Sequence, residues 1–242
     1  RRPNSFSISG YISAQNNAYY VWQNATMYYR SMGLAIGLGK RLAWPDPYFT
    51  FYGELGYQRY GLKGWDSFIL SDGNANTLSL KLILQRSSVD APFFSRSGSE
   101  FTLSVQATPP FSLWDGKDYA SKSLSDQERY RWIEFHKWLL KARWYFPLTP
   151  NQNLVLMLGA EMGYLGHYNK NKVSPFERFE IGGDGMTGYN IYGVDIIALR
   201  GYEDGALDPS QYYSVAYNKY TMELRYPVIL KPNSSIYVLG FL

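Results

Sequence analysis

Residues 30–42 read RSMGLAIGLGKRL, and their alternation decides the fold. Met32, Leu34, Ile36, Leu38 and Leu42 occupy the even positions, with Lys40 the polar exception. Ser31, Gly33, Ala35, Gly37, Gly39 and Arg41 occupy the odd ones. A period of two with one greasy face and one small or polar face is the pattern of a pleated strand.

The same pattern recurs on either side. Residues 5–13 set Phe6, Ile8 and Ile12 against four serines, and 76–85 set Leu78, Leu80, Leu82 and Leu84 against Thr77, Ser79, Lys81 and Gln85. Residues 101–107 set Phe101, Leu103, Val105 and Ala107 against Thr102, Ser104 and Gln106. Further strands are expected over 49–60, 131–146, 154–165, 219–227 and 235–242, making nine. In 131–146, Trp138, Leu140, Ala142, Trp144 and Phe146 oppose Lys137, Lys141, Arg143 and Tyr145. Unpaired charges at the inner phase of a strand are very costly in a dry sandwich core and easily placed in a wet lumen.

The connections alternate too. Short turns rich in Pro, Asn, Asp and Ser follow 42, 86, 147 and 228, whereas 14–29, 61–75, 108–130 and 166–218 are long. Short turns at one end and long loops at the other are the habit of outer-membrane barrels, and a soluble sandwich gives no reason for it. Aromatics gather near strand ends (Trp44, Tyr48, Phe49; Phe93, Phe94; Trp144, Tyr145, Phe146), as an interfacial girdle should.

Composition is compatible with this reading. Tyr 23, Trp 7 and Phe 13 make the chain 18% aromatic. The net charge of +4 is too small an excess to indicate a nucleic-acid partner. There is no cysteine, hence no disulfide framework or thiolate metal site. No apolar run is long enough for a transmembrane helix, and the mean hydropathy of −0.31 is what lumen-facing residues produce when they dilute lipid-facing ones. Nine antiparallel strands cannot close with every neighbour antiparallel, and open edges in lipid leave backbone groups unsatisfied. The 242 residues are therefore expected to be one partial outer-membrane barrel domain, the middle of a longer barrel.

The longest interval without a strand pattern, 166–218, has a strong character of its own. Loops of this length are usually functional. It contains FERFEIGGDGMTGYN at 176–190 and ALRGYEDG at 198–205. In this order they resemble the signature of the BamA/TamA superfamily of outer-membrane insertases, a Phe-(Tyr/Glu)-x-(Arg/Asn)-Phe-x-x-Gly-Gly segment before a Val-Arg-Gly-(Phe/Tyr) motif. Leu199 stands where valine is usual, and Tyr202 where phenylalanine is common. TMELRYPV at 221–228 is similar to the strand that follows that loop, and SSVDAPFFSRSGSEFTLSVQAT at 87–108 to a tight turn of the family, with Pro92 ahead of Phe93 and Phe94.

The resemblance covers essentially the whole chain. It implies a sixteen-stranded barrel of which these would be strands five to thirteen, a sixth extracellular loop folded into the lumen, and flanking strands and POTRA domains outside this sequence. It implies folding and insertion of client outer-membrane β-barrel proteins in the lipid bilayer, with accessory assembly lipoproteins as partners and no cofactor. It carries a bracing role onto Phe176, Phe179, Gly182, Gly183, Arg200, Gly201 and Tyr202, and a wall partner onto Glu223. Alternation places Thr221, Glu223 and Arg225 inward, so Arg200 is expected to grip Glu223 as a fork on a carboxylate. Gly201 would let the loop approach the wall closely, Tyr202 would pack or hydrogen-bond at the loop tip, and Gly182 and Gly183 would permit a sharp turn.

Enzymatic readings find little support. His136 and His167 are far apart, and no serine or aspartate has the context of an activated nucleophile. Asp184, Glu203 and Asp204 match no calcium-loop spacing. The rivals are an outer-membrane channel with a constriction loop, and a two-partner secretion translocator.

Overall fold

Because side chains alternate strictly along a strand, one registration fixes two faces, and every predicted strand falls into a single sheet. A computed structural model describes residues 4–16, 27–65, 68–121, 123–184, 193–203, 205–207, 214–231 and 234–242. β1 (Asn4–Asn16), β2 (Tyr28–Arg41), β3 (Phe49–Lys63), β4 (Gly73–Ser87), β5 (Gly98–Ala107), β6 (His136–Pro147) and β7 (Val155–Gly166) follow one another as an antiparallel meander. Two short strands, β8 (Arg178–Ile181) and β9 (Val194–Ile197), pair in parallel outside that sheet. β10 (Ala216–Lys231) then pairs with β7, and β11 (Ser234–Phe241) completes the nine-stranded sheet. Two single turns of helix, α1 (Phe111–Trp114) and α2 (Asp126–Arg129), lie in the connection from β5 to β6. Among the described residues β1 and β11 each have one neighbour, so the sheet is open.

One boundary differs from the sequence expectation. The strand expected over 131–146 begins its pairing only at His136, opposite Ala107. Before it, the chain hooks onto β4: Asn76 N donates to Arg131 O at 3.0 Å, and Ile133 N to Asn76 O at 2.9 Å. Ile133, Glu134 and Phe135 are buried, and Phe135 returns the chain to β5, its carbonyl accepting from Thr108 N at 3.0 Å. The four-residue strands β8 and β9 have no counterpart in the sequence expectation, being too short to display a period.

The two faces of the sheet have opposite chemistry. One presents Ile8, Ile12, Leu34, Leu38, Leu55, Leu80, Trp138, Tyr220 and Leu224, all exposed. In water each such side chain would forgo about 1.5–3 kcal/mol of burial, and in a bilayer the acyl chains cover it. The other face carries the charges. Glu161 lies 3.8 Å from Lys141, 3.8 Å from Arg143 and 3.7 Å from Lys219, so inward charges of β6, β7 and β10 meet across strands. The glycines of β2 belong to this face, where a Cβ on Gly37 would collide with the Tyr52 hydroxyl.

The apolar core does not lie between two sheets. It sits where the long connections fold onto the polar face, gathering Tyr29, Tyr60, Phe68, Leu70, Ile133, Phe135, Phe176 and Phe179. A smaller cluster at the turn end joins Phe94, Tyr145, Val155 and Met157. Phe94 and Tyr145 are thus not girdle residues as expected: Tyr145 is at the inner phase, and Phe94 folds in to pack on Tyr237 with ring centroids 5.4 Å apart. Trp44 and Phe93, by contrast, are 83% and 81% exposed at turn tips.

A loop pinned to the polar wall

The connection from β7 to β10 is held across the polar face by aromatic rings and by charge. Phe176 packs 4.4 Å from the Tyr60 ring and meets Phe68 edge-on at 4.9 Å. Phe179, fully buried, meets the edge of Tyr217 at 5.0 Å. The backbone supports both: Arg178 N donates to Gly193 O at 3.2 Å, and Phe179 N to Ser214 O at 3.1 Å.

Between these rings stands Lys137 of β6, expected to face a wet lumen but in fact buried under the loop. Its ammonium donates to Asp195 Oδ2 at 2.7 Å and to Gly193 O at 3.1 Å, and it contacts the Glu177 carboxylate. Taking Lys137 and Glu177 out of water is expensive, so the pair holds only while both partners are present, with the partly exposed Asp195 as a third charge at its edge. Burial pushes the Glu177 carboxyl up from the usual carboxylate range against the pull of Lys137, and neighbouring Asp195 adds to the rise. In sequence, alternation turns Lys137 inward and Glu177 belongs to the FERF segment, but nothing local connects the two. The available signal is an inward mid-strand lysine, which must find an acid if it is to be buried.

Further on, two segments of the loop clasp each other. Gly183 N donates to Tyr202 O at 2.9 Å, and Leu199 N to Gly183 O at 3.0 Å. Gly182 adopts φ +141°, and a Cβ there would collide with the Glu203 carbonyl oxygen. Gly183 has φ +67°. Gly201 has φ +86°, and no atom lies within 4 Å of where a Cβ would stand. Its need is therefore conformational, and the expected close approach to the wall is not the reason for it. Tyr202 is 51% exposed and engages the clasp through its carbonyl.

Arg200 and Glu223 come together, but not as a fork. Arg200 Nη1 lies 3.7 Å from Glu223 Oε1, its guanidinium 4.8 Å above the Phe241 ring. The close grip comes from Arg225, whose Nε and Nη2 both donate to the single oxygen Glu223 Oε2, at 2.8 and 2.6 Å. Arg225 is two residues along the same strand and therefore on the same face, so it reaches the carboxylate without any loop. β11 offers no acid beside Glu223 and presents an aromatic ring to Arg200 instead. Glu203 is exposed, Asp204 falls outside the described residues, and among the described residues no three His, Asp or Glu side chains gather as a metal site.

Comparison with known proteins agrees with this architecture. The profile of the Omp85 superfamily domain matches residues 2–242. The outer membrane protein assembly factor BamA of Neisseria meningitidis serogroup B is 35% identical over 80 residues, which are 33% of this chain and 8% of that protein. The crystal structure of BamA from Haemophilus ducreyi lacking POTRA domains 1–3 superposes with a TM-score of 0.61 at 16% identity, covering 98% of this chain and 46% of that one. The chain thus spans less than half the length of these relatives, and the second likeness is one of fold.

Proposed function

From the premise that this chain belongs to the Omp85 superfamily and forms part of an outer-membrane β-barrel wall, we propose that it serves an assembly factor that folds and inserts other β-barrel proteins into the outer membrane. The observation that carries this reading is the loop itself. Two buried aromatic anchors and the Lys137–Glu177–Asp195 cluster fix it across β3, β6 and β10, and the Arg200-Gly201-Tyr202 turn projects toward Glu223. A barrel that opens at a seam to offer an unpaired strand edge to a client strand needs the remainder of its wall kept stiff. Strands cross-braced by a loop from within suit that role, with Phe176, Phe179, Gly182, Gly183, Arg200, Gly201 and Tyr202 as the brace. The work needs no covalent step. Its partners would be client barrel proteins in the bilayer and the accessory lipoproteins of an assembly complex.

A channel is the second reading, favoured by a polar cavity of about 220 Å³ beside the loop, lined in part by Glu54, Gln58, Lys81, Gln106 and Lys137. One experiment separates them. The full-length protein reconstituted in liposomes is expected to accelerate the folding of an unfolded client barrel above protein-free liposomes. No acceleration, with steady solute-selective conductance instead, overturns the assembly reading in favour of the channel.

A further inference from the structure

The connection between β5 and β6 is built as a rigid body at the long-loop rim, the extracellular side in outer-membrane barrels. Its floor is a buried polar network. Glu134 accepts from Ser112 N at 2.8 Å and from the Ser112 hydroxyl, and Lys172 Nζ lies 3.5 Å from the same carboxylate. Lys172 also donates to Tyr119 OH at 3.3 Å, and that hydroxyl donates to Asp115 Oδ2 at 2.5 Å. Arg129 Nη1 ties the segment down by donating to Tyr119 O at 3.0 Å and Asn171 O at 2.8 Å. A buried network of this kind rigidifies what stands on it, Arg129 Nε alone among the atoms of these side chains being buried without a hydrogen bond among the described residues.

What stands on it is a cleft of about 300 Å³. Phe111, Trp114 and Trp132 line one side, the Phe111 ring lying 5.0 Å from Trp132 and 6.4 Å from Trp114. Asp115, Lys117, Tyr119, Glu128, Arg131 and Lys172 complete the lining. Trp114 is 69% exposed although it has partners within reach, so its ring is presented and not merely packed. A hydrocarbon here would strip water from carboxylates and a guanidinium without replacing its hydrogen bonds. A phosphate would meet the carboxylates of Asp115 and Glu128 beside the cations, so the lining offers no single sign of charge. A ligand with apolar C–H faces and several hydroxyls satisfies both walls: the faces stack on indole, and the hydroxyls pair with charged donors and acceptors.

We propose that this cleft, between the Phe111–Trp114–Trp132 wall and Asp115, Glu128 and Arg131, is a saccharide-binding site. The sugar is either free or the carbohydrate part of a surface glycolipid. Saturation-transfer NMR on the full-length protein in lipid nanodiscs tests it, with three probes: a panel of neutral di- and trisaccharides of glucose, galactose and mannose, lipopolysaccharide, and its delipidated core oligosaccharide. Transfer from protein aromatic protons to sugar ring protons is expected with at least one probe. Trp114→Ala and Arg131→Ala, both at exposed positions, should each weaken it about tenfold or more while leaving heat-modifiable gel mobility unchanged. Binding of the free or delipidated sugar assigns the carbohydrate alone, and binding of intact lipopolysaccharide only assigns a lipid-borne sugar. The proposal is overturned if no probe shows transfer, or if transfer survives both substitutions. It is also overturned if brominated lipid quenches Trp114 while no sugar binds, which would make α1 a membrane anchor.

Discussion

The Lys137 ammonium lies 2.7 Å from the carboxylate of Asp195, a residue 58 positions further along the chain. It ties a wall strand to the second half of the loop, and Glu177 ties the same ammonium to the first half. Replacing Lys137 by methionine leaves the buried Glu177 without a counter-charge and the partly exposed Asp195 without its partner; breaking a buried pair typically costs about 3–5 kcal/mol. The expected result is a markedly lower unfolding temperature in heat-modifiable gel shifts, together with faster proteolysis between 177 and 195. An unchanged midpoint would show that the loop is held by its aromatics alone.

Glu223 divides its carboxylate unequally between two arginines. Arg225 makes two short charge-assisted hydrogen bonds, and Arg225→Ala is expected to cost about 1.5–3 kcal/mol. Arg200, 59% exposed and 3.7 Å away, belongs to the weak class of ion pairs, about 0–1 kcal/mol. A double-mutant cycle with Glu223→Ala reads both couplings. A larger coupling to Arg200 than to Arg225 would reverse the assignment.

The loop glycines differ in what they tolerate. Gly182→Ala combines a left-handed backbone with a collision against the Glu203 carbonyl, so it should open the Gly183–Tyr202 clasp and cost more than about 3 kcal/mol. Gly201→Ala meets only the left-handed penalty, about 1–2 kcal/mol, because open space surrounds it. Unfolding midpoints of the two variants, compared side by side, check the order.

Acid sensitivity is expected at the turn between β4 and β5. Burial alone would raise the Asp90 carboxyl, but backbone donors from Ser97 and Arg96 and the Arg96 side chain outweigh it and hold the group below its ordinary value. A depressed folded pKa means that the contribution is complete above the unfolded value and is lost as pH falls through the folded one. The stability difference between the native chain and Asp90→Asn should therefore shrink below about pH 4. A difference that grew on acidification would contradict the assignment.

Legibility followed the range of the interactions. The alternation at 30–42 and its repeats mark all nine strands of the sheet and assign their faces, so periodicity alone turns Glu223 and Arg225 inward. Strand limits slip where non-local contacts compete, as at Arg131–Ile133, which bonds to β4 in place of β5. Phe94 shows the same limit, since an aromatic beside a turn reads as girdle whether it faces outward or folds in.

By itself, then, the sequence determined the nine strands of the main sheet, their two faces and the place of the longest loop, because a period of two and the glycine and proline punctuation are local properties of the chain. Only the tertiary structure decided that Lys137 meets Glu177 and Asp195, and that Arg225, not Arg200, makes the short hydrogen bonds to Glu223. Any inward cation could satisfy any loop acid in sequence. Which pair forms depends on distances of a few ångströms, set by how the whole loop lies across the sheet.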